Sequence, residues 1–458
     1  MSELKDHYKR FYERGVNAVK NKADYSVYES IGEYYEKLVE NAPSYYTRFD
    51  MAKKRAAFYK YKGIKNLHDN LIEFEGKFTA GGGKVIYAED AAGALNEIAL
   101  ILSQHTRKQL LLSSEQILDE IGIEPYLSSK GQDYTMLSLH RLFAPVHPDT
   151  FENINKNLTK RLQAEKFGGN TVNVLDLYKK SSLNKAYGDS VSIMAADSLI
   201  ADIGGVVFSD QTGELAIQNS FSKIQIVVAG IDRLISSITE LELLNTLKST
   251  HRYGDYLPWN QTIVTGPKQE GEMDGPEEMY VIWVDNGRSK IMGYKDQRAI
   301  LHCIRCGACE ALCPVFKFVK SESGEAGKEN RDNPLSCVSL PIECGFDKYA
   351  YLSFACTLCG KCQEVCPVRI PLPELILCNR REAVSGNNGF GLSKSQVKTL
   401  KKMFLKRKAM ESPYNKFILK ASGIKKEFGT QRVFPDFSQK SFHVLWSEAA
   451  GIYTAQGK

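Results

Sequence analysis

No cysteine occurs in the first 302 residues of this 458-residue chain; all eleven lie between Cys303 and Cys378. That distribution excludes a disulfide framework spread through a small secreted domain, and a chain this long can bury a core without such staples. Long apolar runs are also missing. The longest, residues 224–231, is about eight residues and is broken by Gln225, against the roughly 20 needed to span a bilayer as a helix. The start, MSELKDHYKRFYERG, has neither an apolar stretch nor a cleavage-site pattern. A secretory leader is therefore not expected, and a reducing cytoplasm is the expected location. No Walker A loop or dinucleotide-type glycine fingerprint is present, so nothing supports a bound nucleotide or flavin. Acidic residues are scarce in one stretch only. Residues 394–426 hold eleven Lys/Arg against Glu411, a net of +10 in a chain of net +6, leaving about −4 elsewhere. A nucleic-acid partner does not follow from that balance.

What is present is a repeated spacing. Cys303, Cys306, Cys309 and Cys313 precede Pro314; Cys356, Cys359, Cys362 and Cys366 precede Pro367. Both runs read C-x2-C-x2-C-x3-C-P, the spacing of bacterial two-cluster ferredoxins, in which the fourth cysteine serves the other cluster. On that pattern Cys303, Cys306, Cys309 and Cys366 hold one [4Fe–4S] cluster, and Cys356, Cys359, Cys362 and Cys313 hold the second. Two all-thiolate zinc sites are the alternative, although zinc ribbons offer separated C-x2-C pairs. Gly307, Ala308 and Gly360 are small enough to let backbone amides approach sulfur, while Ile304, Leu312, Val315, Leu358, Val365 and Ile370 are expected to sheath the site. Arg305 and Lys361 either face solvent or dock an acidic partner. Cys337, Cys344 and Cys378 are left over and read as small buried apolar residues, with a redox or metal pair at Cys337/Cys344 as the alternative.

Four segments are expected. Residues 1–66 show apolar positions at three- and four-residue steps and form a helical arm. Residues 67–295 alternate short apolar runs (85–87, 110–112, 203–208, 224–229, 279–284) with amphipathic stretches (91–103, 150–162, 238–247). That alternation predicts an α/β domain with a largely parallel sheet. Residues 296–380 form the two-cluster module, interrupted by an exposed loop at 321–333. Residues 381–458 form a basic, helical C-terminal segment. Its basic face is either solvated or docks to an acidic partner subunit or, peripherally, to anionic lipid.

Several stretches resemble one family, the iron–sulfur subunit called lactate utilization protein B. They are DGPEEMYVIWVDNGRSKI (274–291), AILHCIRCGACEALCPVF (299–316), ACTLCGKCQEVCPVRIPLPELI (355–376), KSFHVLW (440–446) and, more weakly, ADIGGVVFSDQTGELAIQN (201–219). The resemblance implies that the α/β part is a LUD domain, related in fold to sugar-phosphate isomerases and CoA transferases. It also implies a place beside a cysteine-rich redox subunit and a second LUD-domain subunit in oxidation of L-lactate to pyruvate. The chain would be a non-catalytic or co-catalytic electron-transfer subunit; no acid–base or nucleophilic pair is evident, and no catalytic residue is assigned. One alternative is a LUD-type protein or enzyme for small acids or phosphates, with structural clusters. Another is electron transfer in a different organic-acid oxidation. Within the LUD domain the pattern departs from the family. Two pocket lysines are absent from Leu112-Ser113-Ser114-Glu115, the acidic motif is altered at Ser129-Lys130-Gly131-Gln132, and only His147 survives of a third motif. Gln211 stands for an acid before Thr212-Gly213. His147 and Thr212-Gly213 are the candidate ligand contacts there, and Asn286-Gly287-Arg288 is expected as a tight turn.

Overall fold

The structure, a computed structural model, describes residues 2–20, 22–105, 109–136, 189–210, 213–258, 260–316, 319, 333–386, 394–405, 440 and 442–449. Met1–Asn388 form one compact unit and Gly389–Lys458 a second. The first unit opens with α1 (Ser2–Lys20), α2 (Lys22–Asn41) and α3 (Phe49–Lys65). A 3-10 turn, Ala42–Tyr45, joins the last two and has Pro43 as its second residue, whose fixed φ suits a helix start. Then follow α4 (Leu67–Ala80), β1 (Lys84–Ala88), α5 (Ala91–Gln104), β2 (Gln109–Leu112), α6 (Gln116–Ile121), α7 (Ile123–Ser129) and β3 (Thr135–Met136). After them come β4 (Ser190–Ala195), β5 (Ser198–Ile200), β6 (Gly205–Asp210), α8 (Glu214–Phe221), β7 (Ile224–Gly230), β8 (Leu234–Ile235), α9 (Ile238–Arg252), β9 (Asn260–Val264) and β10 (Glu278–Val284). The five apolar runs expected as strands fall in β1, β2, β6, β7 and β10; the stretch 150–162 lies outside the described residues.

Six strands pair in the order β1-β10-β7-β4-β2-β3, all parallel. Parallel sheets are covered on both faces, and these strands are apolar on both. Ile224, Ile226 and Val228 of β7 join Val191, Ile193, Tyr280, Ile282 and Val284 in the core under α5, α6 and α7. The alternate residues Val227, Ala229, Val281 and Trp283 pack on the other face with Phe74 and Phe78 of α4. The period-2 pleat thus splits one apolar sequence between two cores. On that second face lies a smaller mixed sheet, β8-β5-β6-β9, which the sequence pattern did not announce. Asp90 caps α5 by accepting from the Gly93 N–H at 2.8 Å. Gly204 sits at φ +62 where a Cβ would lie 2.6 Å from the Phe78 nitrogen, so the Gly204-Gly205 turn brings β6 against α4 as only glycine can.

The cysteine module follows: α10 (Arg288–Met292), a 3-10 segment Gln297–His302, α11 (Ala308–Ala311), α12 (Ser336–Cys344), α13 (Phe346–Ala355), α14 (Lys361–Glu364) and α15 (Leu372–Ser385). The N-terminal arm reaches it. α1 lies on α13, with His7 and Tyr349 ring centres 5.0 Å apart and Phe11 against Tyr351 at 5.6 Å and Phe316 at 6.0 Å. α2 packs on α9 and α11, and α3 on β8 and the 3-10 segment. In the second unit, α16 (Lys394–Phe404) exposes Lys398, Lys401 and Lys402. α17 (Phe442–Ala449) exposes Phe442 and Trp446. The remainder of the basic stretch 394–426 lies outside the described residues. No helix among the described residues is long and apolar enough to cross a membrane.

His251, on α9, is fully buried. Its Nδ1–H donates to the Leu247 carbonyl at 2.8 Å and its ring stacks on Phe49 at 5.9 Å. Burial pushes its pKa down to about 4. The unfolded chain takes up this proton near pH 6.5 and the folded chain does not. Stability from this group is therefore complete above about pH 6.5 and is lost as pH falls toward 4, by about 3 kcal/mol in all. Thermal unfolding at stepped pH is expected to show a melting temperature that drops across this window in the wild type and drops less in His251→Leu.

Candidate metal centre

The two cysteine runs adopt one backbone conformation twice. Each first cysteine is extended, at φ −63, ψ 128 for Cys303 and φ −66, ψ 133 for Cys356. Two residues on, the chain turns left-handed at Arg305 (φ 58) and Leu358 (φ 57). Neither residue suits that region, which costs a non-glycine roughly 1–2 kcal/mol. The turn aims amides at sulfur: the Arg305 N–H donates to Cys303 Sγ at 3.2 Å, and the Leu358 N–H to Cys356 Sγ at 3.3 Å. Glycine then takes a second left-handed position, Gly307 at φ 84 and Gly360 at φ 85, and starts the single helical turns α11 and α14 that carry Cys309 and Cys362. After the fourth cysteines and their prolines, the Phe316 N–H reaches Cys313 Sγ at 3.4 Å and the Ile370 N–H reaches Cys366 Sγ at 3.3 Å.

The fold draws the eight thiols into two groups that do not follow the order of the runs. Burial pushes the Cys306 thiol up to about 12, with Cys303 and Cys366 adding like charge. Cys309 is held well above its ordinary value by burial and by Cys303, Cys306 and Cys366. Cys366 rises to about 11, chiefly through burial, with Cys303 as its cysteine neighbour. In the second group burial raises Cys362 to about 12, and Cys356, Cys313 and Cys359 contribute. Cys313 is raised by burial and then by Cys356 and Cys359. Those four line one cavity, walled by Phe316, Cys337 and Ile376. Among the described residues, no three His, Cys, Asp or Glu side chains stand close enough to share a single ion.

Crowded, buried thiols of this kind stay protonated unless a cation replaces the protons. Four soft donors in each group, amide N–H groups on the sulfurs and apolar walls fit a thiolate-ligated iron–sulfur cluster. Among the expected sheathing residues, Ile304, Leu312, Val365 and Ile370 are buried, whereas Val315 and Leu358 are only half-buried. Cys337 is fully buried with its Sγ 3.7 Å from the Asn333 carbonyl. It shares α12 with Cys344, seven positions along, about 10 Å of helix rise and too far for a disulfide. Cys378 Sγ lies 4.0 Å from Asp296 Oδ2.

The two cations inside the runs differ. Lys361 is exposed and paired with Glu36 of α2 at 2.8 Å. Arg305 turns inward, donating to Gln116 Oε1 at 3.2 Å and lying 3.8 Å from Asp232 Oδ2, so it is not available to dock a partner. It belongs to a buried charge network at the C-terminal ends of the parallel strands. Arg288 is the hub. Its guanidinium donates to both Glu120 oxygens at 2.9 and 3.0 Å and to Asp232 Oδ1 at 2.6 Å. Asn286, left-handed at φ 47, begins the tight turn and donates to Glu120 Oε1 at 2.7 Å. Burial raises the Asp232 carboxyl, but Arg288, Arg233, Arg305 and Lys60 together hold it well below the carboxylate range. The buried Lys60 donates to the Asp232 carbonyl at 2.7 Å, and burial pushes its pKa down to about 8.

Of the sequence-derived LUD contacts, His147, Gln211 and Thr212 lie outside the described residues. Gly213 is left-handed at φ 81 and begins α8, where the Leu215 N–H donates to Asp210 Oδ2 at 2.7 Å. Lys60, Asp232 and Arg233 were missed. The available signal was the Asp232-Arg233 pair directly after the apolar run that forms β7, at a strand's C-terminal end, where α/β sheets bind ligands.

Comparison with known proteins places two family models on the chain: a LUD domain over residues 71–284 and a 4Fe-4S dicluster domain over 299–370. Lactate utilization protein B of Bacillus velezensis is 32% identical over 338 residues, covering 70% of this chain and 69% of that one. The Bacillus subtilis protein of the same name is 30% identical over 335 residues, with 70% and 69% covered. An Escherichia coli protein named uncharacterized electron transport protein YkgF is 28% identical over 377 residues, covering 79% and 77%. A crystal structure of a DUF162 family protein from Deinococcus radiodurans aligns with a TM-score of 0.29 at 15% identity, over 48% of this chain and 98% of that one, too remote to define the fold.

Proposed function

The chain belongs to the lactate utilization protein B family, with a LUD domain followed by a 4Fe-4S dicluster domain that carries two [4Fe–4S] clusters, and from that footing we propose that it is the electron-transfer subunit of an L-lactate oxidation system. The observation that carries the reading is the pair of crossed thiol groups. Cys303, Cys306, Cys309 and Cys366 ligate the first cluster; Cys356, Cys359, Cys362 and Cys313 ligate the second. Bound clusters supply reversible one-electron storage. The protein's own groups supply the rest. Amides of Arg305, Leu358, Phe316 and Ile370 stabilise negative charge on sulfur. Apolar side chains exclude water. Cys359 is exposed, which makes the second group the side nearer to an external donor or acceptor.

The expected partners are a cysteine-rich redox subunit and a second LUD-domain subunit in a reducing cytoplasm, and the lysines of α16 offer a contact for an acidic subunit or anionic lipid. Protein purified without oxygen is expected to contain about eight iron and eight sulfide per chain and to give an EPR signal after dithionite reduction. With the two partner subunits present, L-lactate is expected to replace dithionite as reductant. Zinc-loaded protein without a reducible signal would sink the assignment, and reduction by a different organic acid but not by L-lactate would redirect it.

A further inference from the structure

The same left-handed turn follows the first cysteine of each run, but the two turns are braced from different parts of the molecule. In the second run the brace belongs to the cysteine module itself. Leu358 lines the second cavity beside Pro334 and Ile376. Arg380 of α15 donates to the Cys356 carbonyl at 2.5 Å and to the Ser353 carbonyl at 2.9 Å. In the first run the brace comes from the α/β domain. The Arg305 guanidinium donates to Oε1 of Gln116, the first residue of α6, at 3.2 Å, and it lies 3.8 Å from Oδ2 of Asp232, just after β7. Arg252, the last residue of α9, donates to the Arg305 carbonyl at 3.3 Å. Between these anchors sits the Arg305 N–H that donates to Cys303 Sγ. Three elements of the α/β domain therefore hold one residue of the ligand loop, by its side chain and by its carbonyl.

That residue is the one that needs holding, because φ 58 is a conformation that an L side chain resists. Its anchor is firm: Asp232 is itself fixed by Arg288 at 2.6 Å. Among the described residues, each thiol group receives the two amide donors already noted, Arg305 and Ile370 for the first and Leu358 and Phe316 for the second. The backbone donors thus do not set the two groups apart. What differs is where the donors are held from, and groups that orient ligands from outside the coordination shell tune a metal centre.

We propose that Arg305 is a positioning residue through which the α/β domain sets the potential of the first cluster, while the second is left to its own module. The grip on the loop rests on the hydrogen bonds alone; its effect on potential rests on the electron-transfer function proposed above. N–H donors and positive charge at sulfur favour the reduced, more negative cluster. Loosening Arg305 therefore lowers the first midpoint. A displacement of α6 or of the turn after β7 reaches the first cluster by the same route.

The experiment is an EPR-monitored redox titration of anaerobic, full-length protein in two backgrounds, Cys313→Ala, which keeps the first cluster, and Cys366→Ala, which keeps the second. Hydrogen exchange of the loop amides is read alongside, in otherwise wild-type protein. Arg305→Met removes the brace and its charge; Gln116→Leu removes one anchor and no charge. Arg305→Met is expected to lower the reduced-to-oxidised ratio of the first cluster at fixed potential about tenfold, or about 59 mV for one electron. Gln116→Leu should shift it the same way by less. Both should leave the second midpoint in place. Both should speed exchange in peptides covering 303–309, by about tenfold for Arg305→Met, and leave 356–362 unchanged. Unchanged exchange at 303–309 in both variants overturns the proposal. So does an equal shift of both clusters, and so does an effect of Arg305→Met with Gln116→Leu silent in both readouts, which would make Arg305 a charge and not a brace. Faster exchange with both midpoints unmoved overturns the control of potential. Faster exchange at 303–309 in protein that gives no reducible signal would uphold the grip while refuting the electron-transfer reading.

Discussion

Cys366→Ala is expected to cost the protein the cluster built by the first cysteine run, although Cys366 lies in the second. Cys366 couples electrostatically to Cys303, Cys306 and Cys309, whereas Cys313 lines one cavity with Cys356, Cys359 and Cys362. Iron should fall from about eight to about four per chain, with Cys313→Ala the mirror case. Iron counting alone does not say which cluster survives, but Lys60 does. Its ammonium is buried, and Cys303 is the one cysteine among its main electrostatic neighbours. Adding Lys60→Met should therefore move the EPR midpoint of the cluster remaining in Cys313→Ala and leave that in Cys366→Ala where it was. The opposite pattern would mean that each run ligates its own cluster.

Arg288→Ala is the second large effect. Arg288, Glu120 and Asp232 are each at most 4% exposed, and the substitution removes the counter-ion that the two buried carboxylates share. Breaking a buried pair in this way costs about 3–5 kcal/mol. At about 2–4 °C per kcal/mol, the melting temperature should fall by roughly 10 °C. Asp232 also makes this stability pH-dependent. Its folded pKa is depressed, so its share is complete above about pH 4 and is lost on further acidification. Replacing Arg288 and Glu120 together by apolar residues of similar volume should recover much of the loss, because Glu120 then leaves no stranded charge and Asp232 keeps Arg305, Arg233 and Lys60. A double variant as unstable as Arg288→Ala would show that the residues matter for packing rather than for charge.

What the sequence made legible divides along physical lines. Cysteine spacing is local, so the runs at Cys303 and Cys356 announced their chemistry directly. Strands such as β7 and β10 were visible because both faces are apolar over most of their length, broken by Gln225 in β7 and opened by Glu278 in β10. The second sheet was not, since β5 and β8 have three and two residues, too short for any period to register. The left-handed turns at Arg305 and Leu358 were equally hidden: nothing in either side chain asks for that conformation, and the thiol two residues earlier is what rewards it. The charge network draws Lys60, Glu120, Asp232, Arg288 and Arg305 from five separate segments. A single polar residue has no periodicity, so the inward turn of Arg305 could only be read from the fold.

The placement of the N-terminal arm has a consequence for how the protein is made. The arm leaves the ribosome well before the surfaces it packs on. Phe11 packs on Phe316 and Tyr351, Glu36 pairs with Lys361, Asp50 pairs with Arg369 at 3.2 Å, and Lys53 donates to the Glu364 carbonyl at 3.1 Å. Domains fold roughly in the order of synthesis, but this segment must wait for nearly the whole chain before it can close. During that interval the cysteine module lacks the cover that the arm later gives it, so closure of the arm is a late step of folding.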